Sequence, residues 1–347
     1  MKRPLLLSGL ALPFLVTGAA ATAQADELYL YNWTNYTSQE VLDMFEEETG
    51  IEVILDVYTS NEDLMARMQA GGATYDVVLP SDSYVERMIE QDLLYEFDAT
   101  SLENFDNLME DHQSPYFDPE RAYSAPYMWG TTSIAYNTDV VDEPLDHSWR
   151  EIFEPREEFQ GEIGMLDEMS DVIAAAAFYL GIDHCSEDPD DWQAIQDLLM
   201  EQREHVKLYN ATGTDDSMIT GETLMHQMWN GAAHRAWREN DSISYLYPEE
   251  GVIFWSDNLV IPRDAQNVEN AKAFINFMMS PEAAALTSNE TGYMNAVSGS
   301  DAMLADDLRK SEAVNMPEEF GDRLRETPPC SRQADDLRDR VWTAVMQ

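Results

Sequence analysis

Three apolar strand segments, separated by two amphipathic helices, begin the folded part of this chain. In chain order, these five segments are predicted at residues 29–32, 38–49, 52–58, 61–70 and 76–80. Alternating strands and helices favour a parallel sheet covered by helices, because two parallel strands need a crossover connection between them. The sequence therefore predicts the α/β fold class.

Two long extended segments interrupt this alternation. They cover residues 125–137 and 252–262, and a second run of strands and helices lies between them. A chain that crosses twice between two lobes makes both lobes discontinuous and forms a hinge. The predicted lobe I comprises residues 26–132 and 256–301, and the predicted lobe II comprises residues 133–255 and 302–347. Ligands of such folds bind in the cleft between the lobes.

The first 25 residues are predicted to be an export signal. Residues 2–3 are basic, residues 5–16 are apolar, and residues 23–25 read Ala-Gln-Ala, a typical cleavage motif. Removing these 25 of the 347 residues leaves 322, a length that suits two domains. No later segment approaches the apolar length of a membrane span, and no cysteine near the motif suggests a lipid anchor. We therefore expect cleavage after Ala25 and a periplasmic location.

Two cysteines, Cys185 and Cys330, remain after export. An even number of cysteines in an oxidising compartment favours a disulfide. Their separation is far wider than the spacing of a metal-binding motif, so a metal site is not expected. We predict that Cys185 pairs with Cys330.

The chain is strongly acidic, with 67 Asp and Glu against 20 Lys and Arg and a formal net charge of −47. The acids are dispersed along the whole chain, which is the usual solvation strategy of proteins that face high salt. Attraction of a cationic ligand is the functional alternative, but a halophilic surface explains more of the charge. So acidic a chain argues against nucleic-acid binding, which needs a basic surface.

Aromatic and acidic side chains gather at predicted strand ends and crossovers. The candidate ligand-binding residues are Trp33, Thr34, Tyr36, Ser81, Asp82, Glu168, Asp171, Trp229, Trp255, Asp257 and Tyr293. Strand ends are where α/β sheets meet ligands. Carboxylates beside indole rings suit an ammonium ligand, because the ions pair and the ring face attracts the cation. Core packing is an equal alternative for Trp33 and Tyr36, whereas Asp257, close to Trp255 and Leu259, is harder to assign to a surface.

Motifs typical of enzymes are missing from the sequence. It contains no nucleophile elbow, zinc-protease helix, phosphate-binding loop or dinucleotide fingerprint. Paired carboxylates could serve a glycosidase, but such pairs arise by chance in so acidic a chain. We predict a protein that is not an enzyme, with no catalytic residue and no cofactor. The alternatives left open are an acid glycoside hydrolase and a receptor for another small solute.

Several phrases of the sequence resemble the periplasmic spermidine/putrescine-binding proteins of ABC transporters. They are YNWTNY, ETGIEVILDVYTSNEDLMARM, YDVVLPSDSYVERM, PYMWGTTSIAYN, MWNG, PEEGVIFWSDNLVIP, and AKAFINFMMSPE with TGY. The resemblance covers almost the whole chain after the export signal. It implies a two-lobed type II periplasmic binding fold that closes on putrescine or spermidine and delivers it to an inner-membrane ABC permease. We expect the protein to be a monomer.

The resemblance also implies roles for single residues. Glu168 and Asp171 resemble the acids that hold one amine, and Asp257 resembles the main carboxylate for the other. Ser81 resembles a polar contact after the third strand. The aromatic walls of the cleft would be Trp33, Tyr36, Trp229, Trp255 and Tyr293.

Four positions depart from the family pattern. Asn35 stands where the family often has an acid, and Asp171 is shorter than the usual Glu. Ala232 stands where putrescine-selective members tend to have Asp, and Ser83 where spermidine-selective members tend to have Tyr. These departures favour different ligands, so the length of the polyamine is left open.

Overall fold

A computed structural model describes residues 26–71 and 74–347; the predicted export signal, residues 1–25, lies outside the described residues. The strands are β1 (Asp26–Trp33), β2 (Ile51–Tyr58), β3 (Val77–Val78), β4 (Ser124–Asn137), β5 (Ile163–Met165), β6 (Val206–Tyr209), β7 (Met225–Trp229), β8 (Ile243–Tyr245), β9 (Val252–Val260), β10 (Met294–Asn295) and β11 (Leu324–Arg325). None of the described helices is both long enough and apolar enough to cross a bilayer. The α-helices are α1 (Gln39–Thr49), α2 (Asn61–Gln69), α3 (Asp82–Glu90), α4 (Arg150–Phe153), α5 (Met169–Leu180), α6 (Pro189–Gln202), α7 (Thr214–Ile219), α8 (Asn230–Glu239), α9 (Val268–Met278), α10 (Pro281–Thr291), α11 (Asp306–Lys310) and α12 (Arg332–Met346).

All the described strands belong to one mixed sheet, in which the order along the main path is β2-β1-β3-β9-β4-β7-β5-β6. Strand β1 pairs in parallel with β2 and β3, and β5 pairs in parallel with β6 and β7. Between these two parallel groups run β4 and β9, which are antiparallel to each other and to their outer neighbours β7 and β3. The two predicted extended segments are therefore the strands that join the two halves of the sheet.

One predicted strand is shorter than the sequence suggests. Of residues 76–80, only Val77–Val78 pair in the sheet. The carbonyl of Leu79 instead accepts hydrogen bonds from the indole N–H of Trp33 at 2.9 Å and from the Tyr58 hydroxyl at 2.6 Å. Side chains thus replace the sheet partner of this carbonyl, although the chain continues alongside β9.

Helix α1 shows how the helices cover the sheet. It buries Val41, Leu42 and Phe45, and it ends where the N–H of Gly50, in the left-handed region at φ 74°, donates to the Glu46 carbonyl. A glycine adopts this conformation without a steric penalty from Cβ. Burying a phenylalanine ring contributes about 1.5–3 kcal/mol to folding, so the apolar face of α1 anchors it.

Two main hydrophobic cores divide the molecule. The first contains buried side chains from residues 28–128 and 259–297, and the second contains side chains from residues 134–253 and 334–345. A smaller cluster packs Leu304, Leu308 and Val314 against Ala285 of α10. The exact lobe boundaries given above stay a prediction.

Cys185 and Cys330 form a disulfide with an S–S distance of 2.00 Å across a separation of 145 residues. The bridge ties the segment before α6 to the segment before α12. His184 lies beside the two sulfur atoms. Because each sulfur is bonded to the other, neither offers a thiolate to a metal ion.

Removing this bridge should lower stability. We expect the Cys185→Ser/Cys330→Ser variant to lose about 2–4 kcal/mol of unfolding free energy, because the bridge constrains a long loop of the unfolded chain. Denaturant unfolding of the oxidised protein, the reduced protein and the double variant measures this loss. The reduced protein should match the double variant, and finding two free thiols in the oxidised, denatured protein would contradict the pairing.

Candidate functional site

One cavity brings together all eleven side chains that the sequence singled out. Its empty volume, with the open mouth included, is about 920 Å³, and it lies where β1, β3, β5 and β7 end and β4 and β9 cross. The predicted residues that line it are Trp33, Thr34, Tyr36, Ser81, Asp82, Glu168, Asp171, Trp229, Trp255, Asp257 and Tyr293. That these residues bind a ligand stays a prediction.

Trp33 lies where the two hydrophobic cores meet. Its ring centroid is 4.7 Å from that of Tyr58 and 6.2 Å from that of Trp229, which meets it edge-on. Because the indole N–H is already bonded to a main-chain carbonyl, the rotation of the ring is fixed. Trp33 therefore packs in the core and also presents a fixed aromatic surface to the cavity.

The turn after β1 positions Tyr36. The side-chain amide of Asn32 donates to the Tyr36 carbonyl at 3.2 Å, and Asn35 takes the left-handed conformation at φ 58°, which asparagine tolerates. The Tyr36 ring meets Tyr127 and Tyr293 edge-on at 5.3 and 5.1 Å between centroids. Its hydroxyl is buried and has no hydrogen-bond partner among the described residues. The turn thus places Tyr36 in the wall of the cavity.

A hydrogen bond from a residue after the neighbouring strand β3 orients the Asp257 carboxyl group. The Ser81 hydroxyl donates to Asp257 Oδ1 at 2.7 Å, and the Asn61 amide donates to that hydroxyl at 3.0 Å. Burial raises the pKa of Asp257 to about 7, although the Ser81 hydrogen bond and the Tyr36 hydroxyl work in the opposite direction. The carboxyl group is therefore poised between its neutral and charged forms near neutral pH.

Asp82 lies next to this pair, in the first turn of α3. It is buried, and its Oδ1 accepts from the N–H of Ser83 at 2.7 Å. Burial raises the pKa of Asp82 to about 8, and the nearby charge of Asp257 adds to the rise. At neutral pH, Asp82 thus carries a proton in the empty site.

Asp171 is held by the second half of the sheet. Its Oδ2 accepts from the Trp229 indole at 2.9 Å and from the Thr132 hydroxyl at 3.1 Å. The Trp255 indole in turn donates to Thr132 at 3.2 Å. Burial raises the pKa of Asp171 to about 6 against the effect of these donors. One carboxylate thus fixes both tryptophans, directly or through Thr132.

Glu168 is the least satisfied carboxylate of the cavity. Its Oε1 accepts from the Ser170 hydroxyl at 2.8 Å, but its Oε2 is buried without a partner among the described residues. Burial raises the pKa of Glu168 well above its ordinary value, and the charges of Glu62 and Asp171 act in the same direction. A buried carboxylate oxygen without a donor is costly, so this oxygen favours a cationic partner.

Two glycines let aromatic rings approach the main chain. A Cβ on Gly130 would lie 2.4 Å from Asn230 Oδ1 and 2.6 Å from the Trp255 ring. A Cβ on Gly231 would lie 2.4 Å from the Tyr293 ring. No side chain fits at these distances, so both glycines are required for the cavity to have this shape.

One ion pair in the cavity was not predicted from the sequence. Arg235 on α8 donates through Nε to Asp215 Oδ2 on α7 at 2.7 Å, and both residues line the cavity. Neither helix α7 nor helix α8 was predicted from the sequence. The available signal was an arginine close to Trp229 in a chain with few cations. Tyr58, Asn61 and Thr132 were missed as well, and nothing in the sequence distinguishes these from core residues.

The charge balance decides what the cavity can hold. Among its described lining residues, Arg235 is the sole lysine or arginine, and Asp215 already neutralises it. The other four acids have no ion-pair partner within residues 26–71 and 74–347: Asp82, Glu168, Asp171 and Asp257. Buried carboxylates either keep their protons or take up cations. The arrangement therefore suits a ligand with more than one ammonium group and an apolar body.

The chain is similar to bacterial solute-binding proteins in both sequence and structure. The family profile described as bacterial extracellular solute-binding protein matches residues 40–317. The spermidine/putrescine-binding periplasmic protein of Escherichia coli (strain K12) is 36% identical over 288 residues, which cover 82% of each chain. A putrescine/agmatine-binding protein of Pseudomonas aeruginosa is 31% identical over 97% of each chain. A solved Listeria monocytogenes structure, provisionally named a spermidine/putrescine ABC transporter, is 28% identical and superposes with a TM-score of 0.87 over 93% of this chain and 99% of that one.

The raised pKa values predict a specific pH dependence for the empty protein. An unfolded aspartate loses its proton near pH 4, whereas folded Asp171, Asp257 and Asp82 have pKa values of about 6, 7 and 8. The folded state then binds more protons than the unfolded state, so stability falls as pH rises through this interval.

Denaturant unfolding of the empty protein between roughly pH 5 and pH 8.5, at high salt to screen surface charge, measures this dependence. Asp257→Asn removes one titrating carboxyl group and should make the decline shallower between roughly pH 5 and pH 7, below the pKa of about 7 of the folded group. The exposed Asp241→Asn is the matched control and should keep the wild-type profile. A decline of equal slope in all three proteins would contradict the assignment.

Proposed function

The chain belongs to the bacterial extracellular solute-binding proteins, and on that premise we propose that it captures a linear polyamine, putrescine or spermidine, and delivers it to an ABC importer. One observation carries the proposal: the cavity combines four unpaired buried carboxylates with three tryptophans and has no unpaired cation among its described lining residues. The names of the Escherichia coli and Pseudomonas aeruginosa relatives support it, since both are polyamine-binding proteins.

The carboxylates suggest how such a ligand binds. Asp257, with Ser81 behind it, would pair with one ammonium group, and Asp171 with Glu168 would pair with another. Entry of a cation lowers the pKa of these acids, so they lose protons as the ligand binds. The indole faces would contact the methylene chain and add cation–π attraction. Each ammonium group of a diamine then lies against a carboxylate, and its methylene chain lies against an apolar wall.

A receptor for an anion is the less favoured alternative. Recognition of a carboxylate or phosphate calls for a cation that is not already neutralised, whereas the charge of Arg235 is balanced by Asp215. For a glycosidase, two carboxylates would have to flank the bond that is cleaved. Here, Asp171 is bonded to Trp229 and Asp257 to Ser81, an arrangement that supports holding a cation. We therefore favour a receptor over an enzyme.

Membership of this family also bears on where the protein acts. We propose export, cleavage after Ala25, and action in the periplasm as a monomer that binds no nucleic acid. The name of the Escherichia coli relative and the Cys185–Cys330 disulfide support an oxidising compartment. Closure of the two lobes would shield the ion pairs from water, and the contact of Arg87 on α3 with Asp335 on α12 at 3.0 Å supports such a closed arrangement.

Replacing one buried carboxylate tests the proposal. We expect Asp257→Asn to weaken putrescine binding by about 2–5 kcal/mol, because the ammonium group then lacks its charged partner. Calorimetric titration with putrescine, cadaverine, spermidine and spermine measures the loss, and thermal unfolding shows that the fold is intact. Asp241→Asn, which removes an exposed carboxylate, should bind like the wild type. Wild-type affinity in Asp257→Asn would remove this residue from the site.

A salt series separates the cavity from the acidic surface. We propose that the dispersed acids are an adaptation to salt, so affinity should fall only modestly between low and molar salt, because the buried pairs are shielded. Stability should rise over the same range as surface repulsion is screened. Polyamine titration and thermal unfolding at each concentration measure both. Loss of binding at molar salt with the fold retained would make the surface charge part of capture.

A further inference from the structure

Arg235 is a positive charge of the protein itself in a cavity whose other charged side chains are carboxylates. We propose that Arg235, held on Asp215, takes the place of an additional ammonium group and restricts the cavity to diamines, at the expense of triamines such as spermidine. The inference rests on the proposed capture of polyamines and identifies which class of polyamine this site accepts.

The contacts of Arg235 fix its guanidinium group. Nε donates to Asp215 Oδ2 at 2.7 Å, and Nη1 donates to the Thr291 carbonyl at 2.5 Å. The Arg235 and Asp215 side chains are only 22% and 16% exposed. The partners come from α7 and from the last turn of α10, so two elements besides α8 hold the charge in place.

The guanidinium group lies next to the aromatic wall of the cavity. Its central carbon is 5.9 Å from the centroid of the Tyr293 ring. That ring is 5.4 Å from the Trp255 ring and 5.1 Å from the Tyr36 ring. Gly231, one turn before Arg235 on α8, is the residue that lets Tyr293 approach. A ligand that contacts these rings is therefore within range of the Arg235 charge.

The Arg235–Asp215 pair determines how many ammonium groups the cavity can bind favourably. Without Arg235, Asp215 would be a fifth carboxylate and would attract a further ammonium group. With Arg235, the pair is neutral, and the guanidinium group repels a further cation nearby. In the proposed arrangement, the two charges of a diamine are met by Asp257 with the adjacent Asp82 and by Asp171 with Glu168. The third charge of a triamine finds no free carboxylate at the Arg235–Asp215 pair.

A different function for Arg235 would be to anchor the carboxylate of an ω-amino acid. Asp215 argues against it, because its carboxylate already occupies Nε and would repel a second anion. The same helix offers a matched control. Arg238 on α8 pairs through Nε with Asp307 Oδ2 at 3.0 Å, but its side chain is 42% exposed and it does not line the cavity.

Calorimetric titration with putrescine, spermidine and 4-aminobutanoate tests the inference on the exported, oxidised protein. Wild type should bind putrescine about tenfold or more tightly than spermidine, and Arg235→Gln should raise the spermidine-to-putrescine affinity ratio about tenfold or more. Adding Asp215→Asn to Arg235→Gln should restore the wild-type ratio. Arg235→Lys, which keeps the charge, and the control Arg238→Gln should both keep it as well.

Each outcome decides the matter. An unchanged ratio in Arg235→Gln, or a raised ratio that survives in the double variant, would overturn the inference and leave the proposed polyamine capture intact. Tighter binding of 4-aminobutanoate than of putrescine, lost in Arg235→Gln, would make Arg235 a carboxylate anchor. Failure of the wild type to bind any polyamine would overturn the proposed function and this inference with it. Should Arg235→Gln not fold, Asp215→Asn alone serves, and it should weaken spermidine binding more than putrescine binding.

Discussion

Burial of carboxyl groups without a cationic partner is the constraint on which this molecule depends. Asp257 and Asp171 each accept hydrogen bonds from neutral donors, which orient them without neutralising them. Glu168 leaves one oxygen without any donor among the described residues. The folded chain accommodates these groups by retaining protons, as the raised pKa values of Asp257 and Asp82 indicate. A dication offsets the cost of burying these carboxyl groups more fully than protons do. The empty site is therefore selective for positive charge.

The sheet explains why the carboxylates can be held so firmly. Strands β4 and β9 are shared by the two halves of the molecule, and they carry Thr132, Trp255 and Asp257. Ser81 reaches Asp257 from the end of β3, whereas Trp229 ends β7 on the other side. Each half therefore contributes carboxylates and aromatic rings, so a ligand that bridges them contacts both halves at once. Such contacts favour the arrangement in which the halves lie together.

Most residues of this site could be predicted from the sequence, but the hydrogen bonds and ion pairs that connect them could not. Trp33 and Asp257 could be recognised because an aromatic ring or an acid that ends or interrupts an apolar run is a departure from local pattern. Thr132 could not, since a threonine in a strand is ordinary, and its role depends on contacts with Asp171 and Trp255. The Asp215–Arg235 pair could not be predicted for a related reason. It joins helices α7 and α8, whose boundaries depend on tertiary packing.

We propose that a cation replaces the protons of the buried carboxyl groups. Carbon-13 NMR of labelled aspartate carboxyls, with the Asp257 signal assigned through Asp257→Asn, tests it directly over roughly pH 5 to 9. In the empty protein, the pKa of Asp257 should be about 7. With saturating putrescine, the pKa should fall by about 1–3, because the ammonium group favours the charged carboxylate. The same pKa with and without putrescine would contradict the account.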